Sequence, residues 1–199
     1  MKKLLLGGVL GLSFVGAGAE AAVLDFYAEA LGNERGVADG TVIAMDGENV
    51  EFNSNYFAYF DSGAGLGVCK VLTGSAQCNP SNDDNVTAGE DVTISFSAAR
   101  TLSNLVFRAE GHGIRADGAT LLFGINGGAL MQYTFAALSG LSFNNVMSAT
   151  FAYDDNGQSA DQYYLSAATV SAVPLPAAAP MLLAGLGGFA ALRRRKNAA

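Results

Sequence analysis

The chain has 199 residues, 11 of them basic and 18 acidic, and half are hydrophobic. That length supports one domain with its own core, and the acid excess disfavours nucleic acid and anionic lipid as partners. One histidine, two cysteines and no tryptophan leave too few ligands for a zinc centre and no indole for a sugar-stacking platform.

The amino terminus reads as an export signal. Lys2-Lys3 form a positive n-region, Leu4–Val15 an apolar h-region, and Ala19-Glu20-Ala21 a cleavage site of the A-x-A kind. Cleavage is expected after Ala21, or after Ala19 if Ala17-Gly18-Ala19 is used. The Sec translocon and signal peptidase are the partners this implies, and residues 1–21 are set apart from the folded domain.

From residue 22 onward the pattern is β. Candidate strands are Val23–Ala28, Thr41–Met45, Val50–Phe52, Tyr56–Phe60 and Leu66–Leu72. Val92, Ile94 and Phe96 then alternate with Thr93, Ser95 and Ser97, the period of two that gives a strand one buried face. A turn is expected near Leu102-Ser103-Asn104, after which Leu105, Phe107 and Ala109 resume the alternation. Ala119–Phe123, Leu130–Phe135, Val146–Tyr153 and Tyr163–Val173 complete the set. Asp39-Gly40, Asp46-Gly47, Ser62-Gly63, Asp117-Gly118 and Asp154-Asp155-Asn156-Gly157 punctuate it as turns. Ile125-Asn126-Gly127-Gly128 between two apolar runs is a hairpin signal. Short strands at this spacing, with no convincing amphipathic helix, imply an all-β fold over residues 22–172. The expected form is an antiparallel β-sandwich, jelly-roll-like, with a closed barrel as the alternative.

The carboxyl terminus, residues 173–199, has three parts. Val173-Pro174-Leu175-Pro176-Ala177 is followed by an uncharged stretch to Leu192 and then by Arg193-Arg194-Arg195-Lys196. As a helix, Ala177–Leu192 would rise roughly 24 Å, short of the ~30 Å hydrocarbon core and suited to a transient transmembrane span. Pro180 falls in its first turn, where a missing N–H costs little. The basic cluster should stay cytoplasmic, which places the preceding domain outside the inner membrane.

This run, VPLPAAAPMLLAGLGGFAALRRRK, resembles the VPLPA variant of the PEP-CTERM sorting signal of Gram-negative bacteria. The resemblance implies processing by an exosortase and transfer of the mature chain to the cell surface or extracellular matrix. The logic parallels a GPI signal, in which an apolar tail is an address removed from the product. A second segment, from Gly65 through Cys69 and Cys78 to Asn79-Pro80-Ser81-Asn82-Asp83-Asp84-Asn85 and Glu90, resembles a block recurring in PEP-CTERM surface proteins.

Trimming both ends removes Lys2, Lys3, Glu20 and the four terminal basic residues. Five basic and seventeen acidic side chains remain, a net charge of about −12. In an oxidising compartment Cys69 and Cys78 are expected to pair.

The remaining motifs have bland and sharp readings. His112, in Glu110-Gly111-His112-Gly113, is expected in an exposed turn; a triad hydrolase would need a nucleophilic serine, and no G-x-S-x-G elbow occurs. Asp83, Asp84 and Glu90 are expected in solvated turns, with a calcium site as the alternative because calcium takes many oxygen ligands. Asp154, Asp155 and Asp161 read the same way, and paired carboxylates also admit glycoside hydrolysis. Tyr56, Phe57, Tyr59 and Phe60, with Tyr163-Tyr164, are the densest aromatic patches, half of which should be core. The leading expectation is a non-enzymatic structural or adhesive protein of the envelope or exopolysaccharide. The alternative is a lectin-like, calcium-assisted carbohydrate-binding module.

Overall fold

The computed structural model describes residues 20–173. Residues 1–19 and 174–199 lie outside the described residues. With them go most of the signal peptide, Pro174–Ala177 of the sorting motif, the apolar span and the basic stop Arg193–Lys196.

Among the described residues, alternating apolar residues and glycine-bearing turns give twelve strands and two one-turn helices. In chain order these are β1 (Ala21–Asp25), α1 (Phe26–Ala30), β2 (Arg35–Val37), β3 (Thr41–Met45), β4 (Glu48–Ser54), β5 (Phe57–Asp61) and β6 (Gly65–Cys69). There follow β7 (Asp91–Ala109), β8 (Ile114–Arg115), β9 (Thr120–Ile125), β10 (Met131–Thr134), α2 (Phe135–Ser139), β11 (Ser142–Tyr153) and β12 (Tyr163–Ala172). Every ladder between these strands is antiparallel. Hydrogen-bonded neighbours run β10-β9-β11-β7-β12-β6-β5-β2, with β4 and β8 also on β7, β3 on β4, and β1 on β12.

The 19-residue β7 organises the whole. Its first half pairs with β4 and with the end of β11. Its second half pairs with β12 and with the beginning of β11. Changing partners halfway folds the sheet over one apolar core that holds Val92, Ile94 and Phe96 from one half and Leu102, Leu105 and Phe107 from the other. Phe107 meets Phe135, Phe151 and Tyr163 edge-on, at centroid distances of 5.1, 6.2 and 5.9 Å. Each such pair adds roughly 0.5–1.5 kcal/mol beyond the area it buries.

Three sequence expectations change. The turn expected at Leu102-Ser103-Asn104 is mid-strand: Asn104 takes a left-handed φ of 49°, yet β7 continues because β11 and β12 supply ladders on both sides. The expected strand Val23–Ala28 ends after Asp25, whose carboxylate accepts the Ala28 N–H and starts α1. Likewise Leu130–Phe135 is a strand over Met131–Thr134 but stops there, where Thr134 caps α2 and Phe135 joins the helix. Both helices bury two side chains in the core, so tertiary packing outweighs β propensity there. The short strands β2 and β8 fall on segments with too little alternation to read. By contrast, Thr41–Met45 is a strand as expected, and Asp46-Gly47 and Asn126-Gly127 both turn with positive φ at two successive residues.

Candidate functional site

A cleft of about 410 Å³ opens where five segments distant along the chain meet. Glu34 comes from the α1–β2 loop, Asp61 from the end of β5, Asp84 from the loop after Cys78, and Tyr164 from β12. Glu110 and His112 come from the β7–β8 turn. That turn is held firmly. The His112 N–H donates to the Ala109 carbonyl, and Arg108 donates to the His112 carbonyl at 2.6 Å while stacking on Tyr27. His112 has a φ of 61° and an exposed side chain, the loop histidine the sequence suggested.

Close packing of β6 against the loop shapes the cleft floor. A Cβ on Gly67 would collide with the Asp84 carbonyl, and one on Gly65 would sit 2.7 Å from the Leu165 carbonyl. Glycine at these two positions lets Asp84 and Tyr164 reach the same point, where the Tyr164 hydroxyl donates to the Asp84 carboxylate. Tyr59 ties the far wall: its hydroxyl donates to Glu34 at 2.7 Å and accepts the Cys78 N–H at 3.3 Å.

The electrostatics follow from burial. Asp61 is 5% exposed, and desolvation, reinforced by Asp84, pushes its carboxyl from 3.8 up to about 6. His112 Nε2 stands 3.3 Å from Asp61 Oδ2, an ion-pair distance without the alignment of a hydrogen bond, so that oxygen has no hydrogen-bond partner. Asp84 is also raised by burial, opposed by the Tyr164 hydroxyl. Tyr164 in turn is pushed up by its own burial and by the Asp84 carboxylate. The cleft is thus an acid-lined hollow with one imidazole at its rim. Among the described residues no serine or threonine hydroxyl hydrogen-bonds His112, so the geometry assembles no triad.

The candidate calcium ligands separate. Lys70 from the end of β6 places its ammonium 2.8 Å from Glu90 Oε1 and 3.5 Å from Asp83 Oδ1, supplying the positive charge for that pair. Glu90 is buried, and its second oxygen accepts the Thr87 N–H. Asp84 points instead into the cleft. Asp83, Asp84 and Glu90 therefore do not converge on one point, and no group of three or more metal-ligating side chains is arranged to hold an ion among the described residues. Asp154, Asp155 and Asp161 also part company. Asp154 accepts from Gln132 of β10, Asp155 accepts the Gly89 N–H, and Asp161 pairs with Arg115.

The aromatic patches are largely core, since Tyr59, Phe60, Tyr163 and Tyr164 are buried. Tyr56 stays exposed, with Lys70 over its ring. Cys69 and Cys78 form the expected disulfide, which closes the loop carrying Gln77 against Glu34. Sequence reading missed Glu34 and Asp61 as site residues. The only available signal was that each adjoins a turn.

The first and last strands of the described residues also meet. β1 runs antiparallel to β12 with Ala21 opposite Ser171, so Val173 lies two residues beyond the rung that contains Ala21. Among the described residues no helix is long and apolar enough to cross a membrane. Comparison with protein-family models, with curated proteins and with solved structures finds no match to this chain.

Proposed function

We propose that this chain is an exported protein whose jelly-roll-like β-sandwich is delivered to the cell surface or extracellular matrix by an exosortase. Its role there is structural or adhesive rather than catalytic. The observation that carries the reading is the β1–β12 register. An antiparallel pair sets entry and exit of the chain side by side, about one interstrand spacing of 4.8 Å apart. Apolar segments flanking such a body leave it together and can meet one membrane without the domain lying between them. β12 is laddered to β7 and β1 and ends at Ala172, so a cut in the motif that starts at Val173 would cost the sheet nothing. The Cys69–Cys78 bond and the acidic composition suit an oxidising, aqueous setting.

The test is replacement of Pro174 and Pro176 by Ala. The expected result is full-length chain retained in the inner-membrane fraction; normal release of shortened protein refutes the sorting role. Recovery of the mature protein with exopolysaccharide after mild washing tests the adhesive role, and free diffusion into the medium opposes it.

A second reading, carbohydrate binding, is favoured by the cleft, because carboxylates and a tyrosine edge accept hydrogen bonds from sugar hydroxyls. A glycan array probed with and without calcium decides it, with no retention on any glycan counting against it. A melt whose midpoint is unchanged by EDTA removes the calcium-assisted form.

A further inference from the structure

Glu34, Asp61, Asp84 and Glu110 line the cleft, and among the described residues His112 is the one lining side chain that can carry positive charge. Carboxylates at a surface are ordinarily solvated, and a cluster of them says nothing of a ligand. Asp61 is different. Its side chain is 7% exposed, and Oδ2 has no hydrogen-bond partner. A buried carboxylate oxygen without a donor is a cost that folds normally avoid. The His112 imidazole stands beside that oxygen, with Nε2 3.3 Å away, and its side chain is 45% exposed. Gly63 leaves the ring its place, since a Cβ there would lie 2.7 Å from Nδ1. Among the described residues the ring nitrogens form no hydrogen bond, so the imidazole can swing out without losing one.

We propose that the cleft binds the ammonium group of an amino sugar, which takes the place of the His112 imidazole beside Asp61. This rests on the carbohydrate reading above and narrows it to a cationic sugar. A protonated amine has three N–H donors to share between Asp61 Oδ2 and a second carboxylate of the wall. A neutral hydroxyl brings one donor and no charge. The ring face that would stack a neutral pyranose is missing, because Tyr164, the one tyrosine lining the cleft, is buried. Calcium needs many oxygen ligands at once, and no group of three metal-ligating side chains converges among the described residues. Glu34 and Asp84 are each held by a tyrosine hydroxyl, so the anionic wall is in place before a ligand arrives.

Calorimetric titration of the full chain in detergent tests this with a glucosamine trisaccharide, its N-acetylated counterpart and cadaverine. A pH of about 6.5 lies above the Asp61 value of about 6 and keeps the amines protonated. The glucosamine trisaccharide is expected to bind, and the other two at least about tenfold more weakly. Equal binding of the N-acetylated sugar overturns the proposal and leaves the carbohydrate reading standing. Equal binding of cadaverine overturns both, since charge alone would suffice. No binding of any probe overturns the proposal, and the glycan array then decides the broader reading. Asp61→Asn, checked for folding by a thermal melt, should weaken binding by about tenfold or more. Glu51→Gln removes the same charge from an exposed position on β4 and should bind as wild type does. His112→Asn removes the competing ring at a residue whose positive φ asparagine tolerates, and should tighten binding several-fold. Wild-type affinity in Asp61→Asn, an equal loss in Glu51→Gln, or weaker binding in His112→Asn contradicts the assignment.

Discussion

Asp61→Asn isolates the electrostatics of the cleft. Burial carries the Asp61 carboxyl from 3.8 to about 6, which favours its neutral form in the native state by roughly 3 kcal/mol. The sign runs against the usual carboxylate case. Below 3.8 the group is protonated in both states and its favourable contribution is fully present. As the pH rises toward about 6 the unfolded chain ionises freely while the folded one resists, so stability falls; above that the native state carries a buried charge. Asparagine keeps an acceptor oxygen and the volume but never ionises, and its neutrality also relieves the Coulombic pressure on Asp84. Urea unfolding at pH about 4 and about 7.5 should therefore find the variant near wild type at the acid end. At the neutral end it should be more stable by about 1–3 kcal/mol, the range allowing for the offset from His112. A stability difference that does not change with pH, or a variant weaker than wild type at both, refutes the reasoning.

Three further outcomes follow from particular contacts. Replacing both Cys69 and Cys78 by Ser opens a loop spanning nine positions and should lower unfolding free energy by about 2–3 kcal/mol, read by urea denaturation; an unchanged midpoint would show the bond adds nothing. Gly67→Ala should force Asp84 away from Tyr164 and cost roughly 1–3 kcal/mol, with a shift in the Tyr164 ring resonances; a silent substitution would place β6 further from the loop than described. Asp154 is held below its ordinary value because the hydrogen bond from Gln132, with the Thr120 hydroxyl and the Asn156 and Gly157 backbone close by, outweighs the cost of its burial. Its stabilisation is present above the unfolded pKa and lost as pH falls through the folded one. Asp154→Ala should thus cost roughly 1.5–3 kcal/mol at neutral pH, read by urea denaturation, with the gap to wild type closing in acid.

Legibility in the sequence tracked distance along the chain. Thr41–Met45, the Asp46-Gly47 turn and the alternation from Val92 to Ser97 were readable because each depends on neighbours a few residues away. The Cys69–Cys78 pair was readable for the same reason once export was inferred. That Asp83 and Glu90 turn away from Asp84 was not readable, because Lys70, just past β6 and outside the acidic run, pairs with both of them. The aromatic clusters are core as expected in part, but alternation did not show that neighbours Tyr59 and Phe60, and Tyr163 and Tyr164, would all be buried.

By itself the sequence determined the strand-rich class and most of the turn positions, which are short-range chemistry. Only the tertiary structure decided that Glu34, Asp61, Asp84, His112 and Tyr164 share one cleft, and that the first strand lies beside the last. The physical reason is that β ladders join residues by register rather than by proximity in the chain. The partner switch in β7 and the close approaches at Gly65 and Gly67 set that register only once the sheet has folded over its core.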